Sequence, residues 1–297
     1  MDALCIKDLL DRRKSPLLSF EFFPPKDGLG MASLETAAAQ LLSAKPDFAT
    51  VTYGAGGSTR ERTLQVCDLL RQMGYGPIMP HLTCVGSTRD ELLALADRLH
   101  GLGYRNIMTL RGDPPQGETV FQAVTDGLAH ASDLVALLKT AHTDFCCGVA
   151  GYPERHPEAP SAREDIVHLK QKTDAGADFI TTQLFFDNRC YFDFVEACRT
   201  AGIRQPILPG LLPAISLKQA QRMTARCKTR LPEELIRQME EAGSEGDAAE
   251  EVGIQWAQKQ IEELLGRGAP GIHLYVMNRS KAALTPAIAD CFRRFRG

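Results

Sequence analysis

The chain has 297 residues, a formal net charge of -3 and a hydrophobic fraction of 44%. That balance lacks the strongly basic signature of a nucleic-acid binder, and no apolar stretch approaches the ~20 residues that span a bilayer. The first residues, MDALCIKDLLDRRK, have no apolar core of the signal-peptide type, so the nine cysteines read as reduced thiols of a cytoplasmic protein.

Strand candidates fall at residues 17–22, 48–53, 77–84, 106–110, 145–151, 178–184, 206–211 and 271–277. Several lack polar alternation, as strands buried on both faces of a parallel sheet do. Helix starts lie between them. Ser58 with Glu61, Thr88 with Glu91, Ser161 with Glu164, and Ser216 with Gln219 each have capping-box spacing. Apolar stripes at helical spacing follow, such as Val66, Leu69, Leu70 and Met73, or Tyr191, Phe194, Val195 and Cys198. Gly74, Gly101 and Gly202 stand where such helices stop.

Eight strands alternating with helices fit either a closed (β/α)8 barrel or an open doubly wound sheet. The count, and the lack of a glycine fingerprint after the first strand, favour an α/β fold of the (β/α)8 TIM-barrel type. Residues 232–265 predict extra helices between strands 7 and 8, with a mobile turn near 243–246. That segment is too short for a core of its own. Residues 1–297 therefore read as a single domain, and its apolar helix faces leave room for a homo-oligomer.

In such a barrel the site lies at the C-terminal ends of the strands. Strand 1 offers Glu21 there, inside the apolar run LLSFEFFPPK. The next strands offer Thr52 and Tyr53, His81 and Thr83, then Arg111 and Asp113. Tyr152 and His156, Gln183, and finally Asn278 and Arg279 complete the rim. Each has a structural reading of its own. Glu21 fits an ion pair with an arginine, Asp113 a turn before prolines, and His81 a satisfied core histidine. Gln183 fits a strand bridge and Arg279 a loop cap. Their convergence on one rim points to a polar, partly anionic organic ligand. No Cys-x-x-Cys pair is present, so no metal site is expected. Nor is there a G-x-S-x-G elbow or a P-loop.

The stretches SFEFFPPK, VTYGAGGSTRERT, HLTC, LRGDPP, GYPERHPEAPS, KTDAGADFITTQLFFD, LPGLLP and IHLYVMNRS resemble, in order, the motifs of bacterial-type methylenetetrahydrofolate reductases. The likeness runs from about residue 17 to residue 279. It implies a (β/α)8 barrel with non-covalently bound FAD. The implied reaction reduces 5,10-methylenetetrahydrofolate to 5-methyltetrahydrofolate with NADH or NADPH, in ping-pong order, feeding methionine synthesis. No tract matches the regulatory domain of eukaryotic relatives, so no such allosteric control is expected.

The same resemblance implies residue roles. Glu21 matches the general acid that opens the substrate's five-membered ring, and burial disfavours the charged form of such a carboxyl. Asp113 matches a carboxylate near the flavin and the pterin. Gln183 matches the pterin-binding amide, Leu217 an apolar cover, and Arg279 a ligand-side arginine. FAD contacts fall on Thr52, His81, Arg111, Gly112, Asp113, His130, Ala131, Tyr152, His156, Asp165 and Lys172. His168 and Gln171 stand where some relatives carry asparagine and arginine. Rival readings are another flavin barrel oxidoreductase resembling proline dehydrogenase, a silent folate- or flavin-binding subunit, and a flavin-free barrel lyase or methyltransferase.

Overall fold

The computed structural model describes residues 4–25, 27–53, 60–114, 117 and 121–296. Among them nine parallel strands form one sheet: β1 (Leu17–Phe22), β2 (Phe48–Val51), β3 (Ile78–Thr83), β4 (Asn106–Leu110), β5 (Cys146–Gly151), β6 (Phe179–Thr182), β7 (Ile207–Leu208), β8 (Gly210–Leu211) and β9 (Gly271–Tyr275). Their order is β7-β6-β5-β4-β3-β2-β1-β9-β8. The two ends of that order are consecutive in the chain, so the sheet closes on itself as a (β/α)8 barrel.

Closure happens at one residue. The expected seventh strand, 206–211, is broken at Pro209, which has no N–H for a ladder. Before it, β7 pairs with β6, Thr181 opposite Leu208. After it, β8 pairs with β9, Gly210 opposite His273. The Pro209 carbonyl accepts from the His273 N–H at 2.9 Å, and the Gly210 N–H donates to Thr182 Oγ1 at 2.9 Å. A Cβ on Gly210 would lie 2.4 Å from the Thr182 carbonyl, so only glycine fits this seam.

Alternation sorts the strand residues into two cores. Leu18, Phe20 and Phe22 point outward and pack under the helices. Leu17, Phe48, Met79, Met108, Cys146, Phe179 and Leu208 point inward and meet Ile6 and Leu10 of α1 (Ile6–Arg12). This helix plugs the N-terminal end of the barrel. Asn106 at the start of β4 fixes it, accepting from the Ile6 N–H at 2.8 Å and donating to the Leu4 carbonyl at 3.1 Å. Full burial of each of the two aliphatic side chains is worth about 1.5–3 kcal/mol.

The expected caps form where they can be seen. Thr88 and Glu91 make a reciprocal box at the start of α4 (Arg89–Gly101). Ser161 caps α6 (Ala162–Asp174) and Ser216 caps α8 (Leu217–Cys227). Ser58 and the glycines of YGAGG lie outside the described residues. Extra helices separate β8 from β9 as expected: α9 (Glu233–Glu241) and α10 (Asp247–Gly266) follow α8. Gly243 and Gly246 turn between them with φ of +90° and +85°.

Candidate active site

Glu21 ends the inward row Leu17, Ser19, Glu21. Two registers define its neighbours. On one side Glu21 pairs with Thr50. On the other, Ser19 pairs with His273 and Glu21 with Tyr275. His81 on β3 occupies the same layer. The Glu21 carboxyl is 7% exposed and has an imidazole nitrogen on either side. His81 Nε2 lies 3.5 Å and His273 Nε2 3.6 Å from the same oxygen, Oε2. Burial pushes the His81 imidazole down to about 4, against the pull of Glu21 and with help from His273. His81 is therefore neutral at physiological pH.

The interior around this carboxyl is polar and unsatisfied. Among the described residues, Thr50 Oγ1, His81 Nε2, Thr83 Oγ1, Thr181 Oγ1 and His273 Nε2 are buried with no hydrogen-bond partner. All five lie on inward positions of β2, β3, β6 and β9. Orphaned polar atoms on this scale are rare in finished cores, and here they ring a carboxyl at the mouth of the barrel. Tyr275 closes one side, its hydroxyl donating to the Thr182 carbonyl at 2.6 Å. Burial, followed by the Glu21 charge, raises that phenol well above its ordinary value.

The end of β9 is tied back to β1. Met277 and Asn278 adopt left-handed φ of +51° and +55°, so the strand stops at Tyr275 rather than at residue 277. The Asn278 side chain then reaches Phe23, two residues beyond Glu21, with bonds of 2.9 and 2.7 Å. Arg279, next in the chain, is exposed at the rim.

A second group forms on the β4 and β5 side. Arg111 binds Glu158 through both guanidinium ends at 2.6 and 2.7 Å and covers the Phe121 ring at 4.8 Å. The Glu158 bond is the largest cause of its raised pKa. Gly112 holds φ of +92°, and a Cβ there would meet Val85 Cγ1 at 2.7 Å. Asp113 is exposed beside it; burial first, and then the Asp113 charge, raises the phenol of the half-buried Tyr152. Tyr152 and His156 meet edge to face, centroids 4.6 Å apart. Asp165 accepts from the His156 backbone N–H at 2.8 Å. Lys172 donates to the Ala150 carbonyl at 2.6 Å, 6.0 Å from the Tyr152 ring centre. Burial lowers this ammonium to about 8, partly offset by Asp165.

Other expected residues sit nearer the edge. Thr52 leaves β2, its carbonyl accepting from the Thr63 hydroxyl at 3.0 Å. His130 caps α5 (Ala131–Ala141) by backbone geometry, its N–H held by Asp133 at 2.9 Å. Cys84 Sγ bonds the carbonyls of Leu110 and His130 and so joins this cap to the rim. His168 and Gln171 are exposed on α6. Gln183 follows β6, with Oε1 folded back onto the Leu184 N–H at 2.8 Å. Leu217 is buried among Leu184, Phe186, Leu212, Leu235 and Met239, with Tyr275 and Met277 packed against that cluster. It therefore supports the β9 side of the mouth through packing.

His273 and Tyr275 escaped the sequence reading. Only the β1–β9 register places them beside Glu21, and the motif IHLYVMNRS carried no pairing information. A cavity of about 820 Å³ lies away from Glu21, lined by Glu154, Asp187, Arg189, Arg230, Glu234 and Arg237. Its arginines already pair with its own carboxylates. Near the N-terminal end of β5, His100, His142 and Asp144 bring three potential ligand atoms within 4.8 Å of one another. Arg105 pairs with that aspartate at 2.8 Å.

Fold and site together define a (β/α)8 barrel with a buried carboxyl–imidazole centre at its C-terminal mouth. Residues 5–290 match the family model described as methylenetetrahydrofolate reductase. The chain belongs to the methylenetetrahydrofolate reductase family. It is 38% identical over 264 residues to the 5,10-methylenetetrahydrofolate reductase of Escherichia coli, across 89% of this chain and 87% of that one. It is 37% identical over 278 residues to a probable methylenetetrahydrofolate reductase (NADH) of Oryza sativa, across 90% of this chain. The chain spans about half the length of that plant relative, 47%. No described helix is long and apolar enough to cross a membrane. A Clostridium thermocellum protein, described as binding two copies of 5-methyl-5,6,7,8-tetrahydrofolic acid, shares the fold at a TM-score of 0.64 over 98% of both chains. At 17% identity that likeness concerns the fold alone.

Proposed function

We propose that this chain reduces 5,10-methylenetetrahydrofolate to 5-methyltetrahydrofolate with NADH or NADPH, in ping-pong order through one bound FAD. In this reading residues 1–297 act as one catalytic barrel. Family membership supports the reaction, and one observation in this chain agrees with it: a carboxyl buried at the barrel mouth with two imidazole nitrogens near one of its oxygens.

The substrate's five-membered ring must open to a cationic iminium before it accepts hydride. Opening requires a proton on the departing nitrogen. Glu21, buried at the barrel mouth, is the group placed to deliver that proton. Asp113, exposed on the opposite side of the mouth, favours the cation as it forms. The Gln183 amide both donates and accepts, which suits a pterin edge. Arg279 at the rim suits the anionic half of a folate, and Leu217 keeps the β9 side of the mouth packed.

The residues present fit FAD. Gly112, held to glycine by Val85 and by its φ of +92°, leaves bare backbone at the rim, and the orphaned His81 nitrogen and threonine hydroxyls would offer polar partners to a ring system. Lys172 and Arg111 supply cations for a diphosphate, with Tyr152, His156 and Asp165 between them. Thr52, Ala131 and the His130 cap complete the rim. Bound FAD would supply the hydride, while the protein supplies position and electrostatics.

Anaerobic stopped-flow absorbance of the purified protein tests this reading. NADH or NADPH should bleach the flavin, and methylenetetrahydrofolate should restore its colour. Bleaching without folate-dependent recovery would move the substrate elsewhere. A protein that takes up no FAD on reconstitution would remove the reading altogether.

A further inference from the structure

The mechanism above uses Glu21 and leaves its buried neighbour His273 unexplained. His273 is 1% exposed and Ser19, its cross-strand partner, is fully buried. Ser19 Oγ and His273 Nδ1 share a hydrogen bond of 2.8 Å. The ring is held on two further sides. Phe48 stacks on it at 6.5 Å and 14°, and Tyr275 meets it edge-on at 5.1 Å and 88°. Its other nitrogen, Nε2, has no hydrogen-bond partner among the described residues and faces Glu21 Oε2 at 3.6 Å.

Two features restrict what this nitrogen can be. First, His81 and His273 approach the same carboxyl oxygen, Oε2, from β3 and β9. Where both imidazoles present an N–H to it, that oxygen is an acceptor and the acidic proton belongs on Oε1. Second, a ring with its proton on Nδ1 would set the Nε2 lone pair against those of Oε2. A proton on Nε2 turns that contact into N–H···O. Ser19 makes this tautomer available, because its hydroxyl can donate to a bare Nδ1. The second nitrogen's partner commonly fixes which tautomer an imidazole adopts.

We propose that Ser19 and His273 form a positioning pair for the acid: Ser19 donates to Nδ1, His273 donates from Nε2 to Glu21 Oε2, and the Glu21 proton is thereby held on Oε1. This rests on Glu21 serving as the acid of the reaction proposed above. The proton leaves Oε1 for the departing nitrogen, one O–H bond breaking as one N–H bond forms. The negative charge left on the carboxylate is met by an N–H already in place. Such a bond strengthens as charge develops, so it favours the transition state over the ground state. An imidazole achieves this with no net charge.

The titratable groups facing Glu21 are His81 on β3, His273 and Tyr275 on β9, and Cys227 at the end of α8. A change in the acid's pH profile must therefore be assigned with variants of one position at a time. His273→Gln should slow folate-dependent flavin reoxidation roughly 10²-fold, the size of effect seen when one preorganised donor is lost. Flavin reduction by NADH should stay within about twofold. The alkaline limb of the folate half-reaction, where a general acid loses its proton, should shift upward in pH, because the carboxylate loses a donor. Ser19→Ala should move the same limb in the same direction with a smaller change in rate, and it keeps the ring and its packing.

Nitrogen-15 NMR of the histidine-labelled wild-type protein reads the tautomer directly and needs no substrate. A proton on His273 Nε2 is expected, shifting to Nδ1 or to a mixture in Ser19→Ala. A proton on Nδ1 in the wild type would overturn the proposal, as would an unmoved pH limb in both variants. If the wild type lacked folate turnover while NMR showed Nε2–H, the reaction assignment would fail and the pair would be a structural hydrogen bond only.

Discussion

Asn278 clamps Phe23: its amide oxygen accepts from the Phe23 N–H at 2.9 Å, and its amide nitrogen donates to the Phe23 carbonyl at 2.7 Å. One side chain from the last strand's exit thus fixes the first strand's exit, where Glu21 sits. Asparagine suits the position doubly, because it tolerates the φ of +55° found there. Asn278→Ala should lower stability by about 1–3 kcal/mol, from two lost bonds and a poorer fit to the left-handed region. Asn278→Asp keeps the acceptor and should lose less. Urea denaturation of both variants checks the order. Equal stability for wild type and Asn278→Ala would show that the clamp carries no energy.

His81 should make stability depend on pH. Its pKa is lowered from 6.5 to about 4 in the folded protein. The unfolded chain therefore binds a proton that the folded one refuses, and stability falls as pH drops from about 6.5 towards 4. The full difference is about 3 kcal/mol at ~1.36 kcal/mol per tenfold change in proton affinity. Denaturation curves at neutral and mildly acidic pH should converge for His81→Asn relative to wild type. An unchanged slope would place the acid sensitivity elsewhere.

The plug helix offers a test remote from the chemistry. Leu10 is fully buried at the N-terminal end of the barrel. Leu10→Ala should cost about 2–5 kcal/mol, the range for large cavities in cores. Turnover at 25 °C should change little, since the C-terminal mouth is unaltered. A large loss of activity with unchanged stability would reverse the roles assigned to the two ends.

Gly112 tests the cofactor rim. An alanine there must hold φ of +92° and place its Cβ 2.7 Å from Val85. The left-handed conformation alone costs about 1–2 kcal/mol for a non-glycine residue. Gly112→Ala should retain its circular dichroism but carry less flavin after gel filtration. Full flavin content would separate this turn from FAD binding.

Much of the fold was legible because barrel strands and caps are local signals. The boxes at Thr88, Ser161 and Ser216 and the run LLSFEFF need no knowledge of partners. The break at Pro209 was not read, because an apolar strand and a strand that changes partners midway look alike until the ladder is drawn. The plug was missed for a similar reason: IKDLLDR declares a helix but not what Ile6 and Leu10 will cover. At the site, Glu21, His81 and Asp113 were named from their places in the motifs. His273 was not, since its role depends on facing a residue 252 positions away, through the pairing of Ser19 with His273 and Glu21 with Tyr275. The capping role of His130 was equally hidden, because histidine is an unusual residue there and Asp133 supplies the bond.

Glu21 as proton donor to the folate is the role on which the proposed reaction turns. The direct measurement compares the two half-reactions of Glu21→Gln by anaerobic stopped flow. Flavin reduction by NADH or NADPH should stay near the wild-type rate. Folate-dependent reoxidation should fall by a factor of about 10²–10⁴, the usual worth of a positioned acid. Equal loss of both half-reactions, or normal reoxidation by methylenetetrahydrofolate, would contradict it.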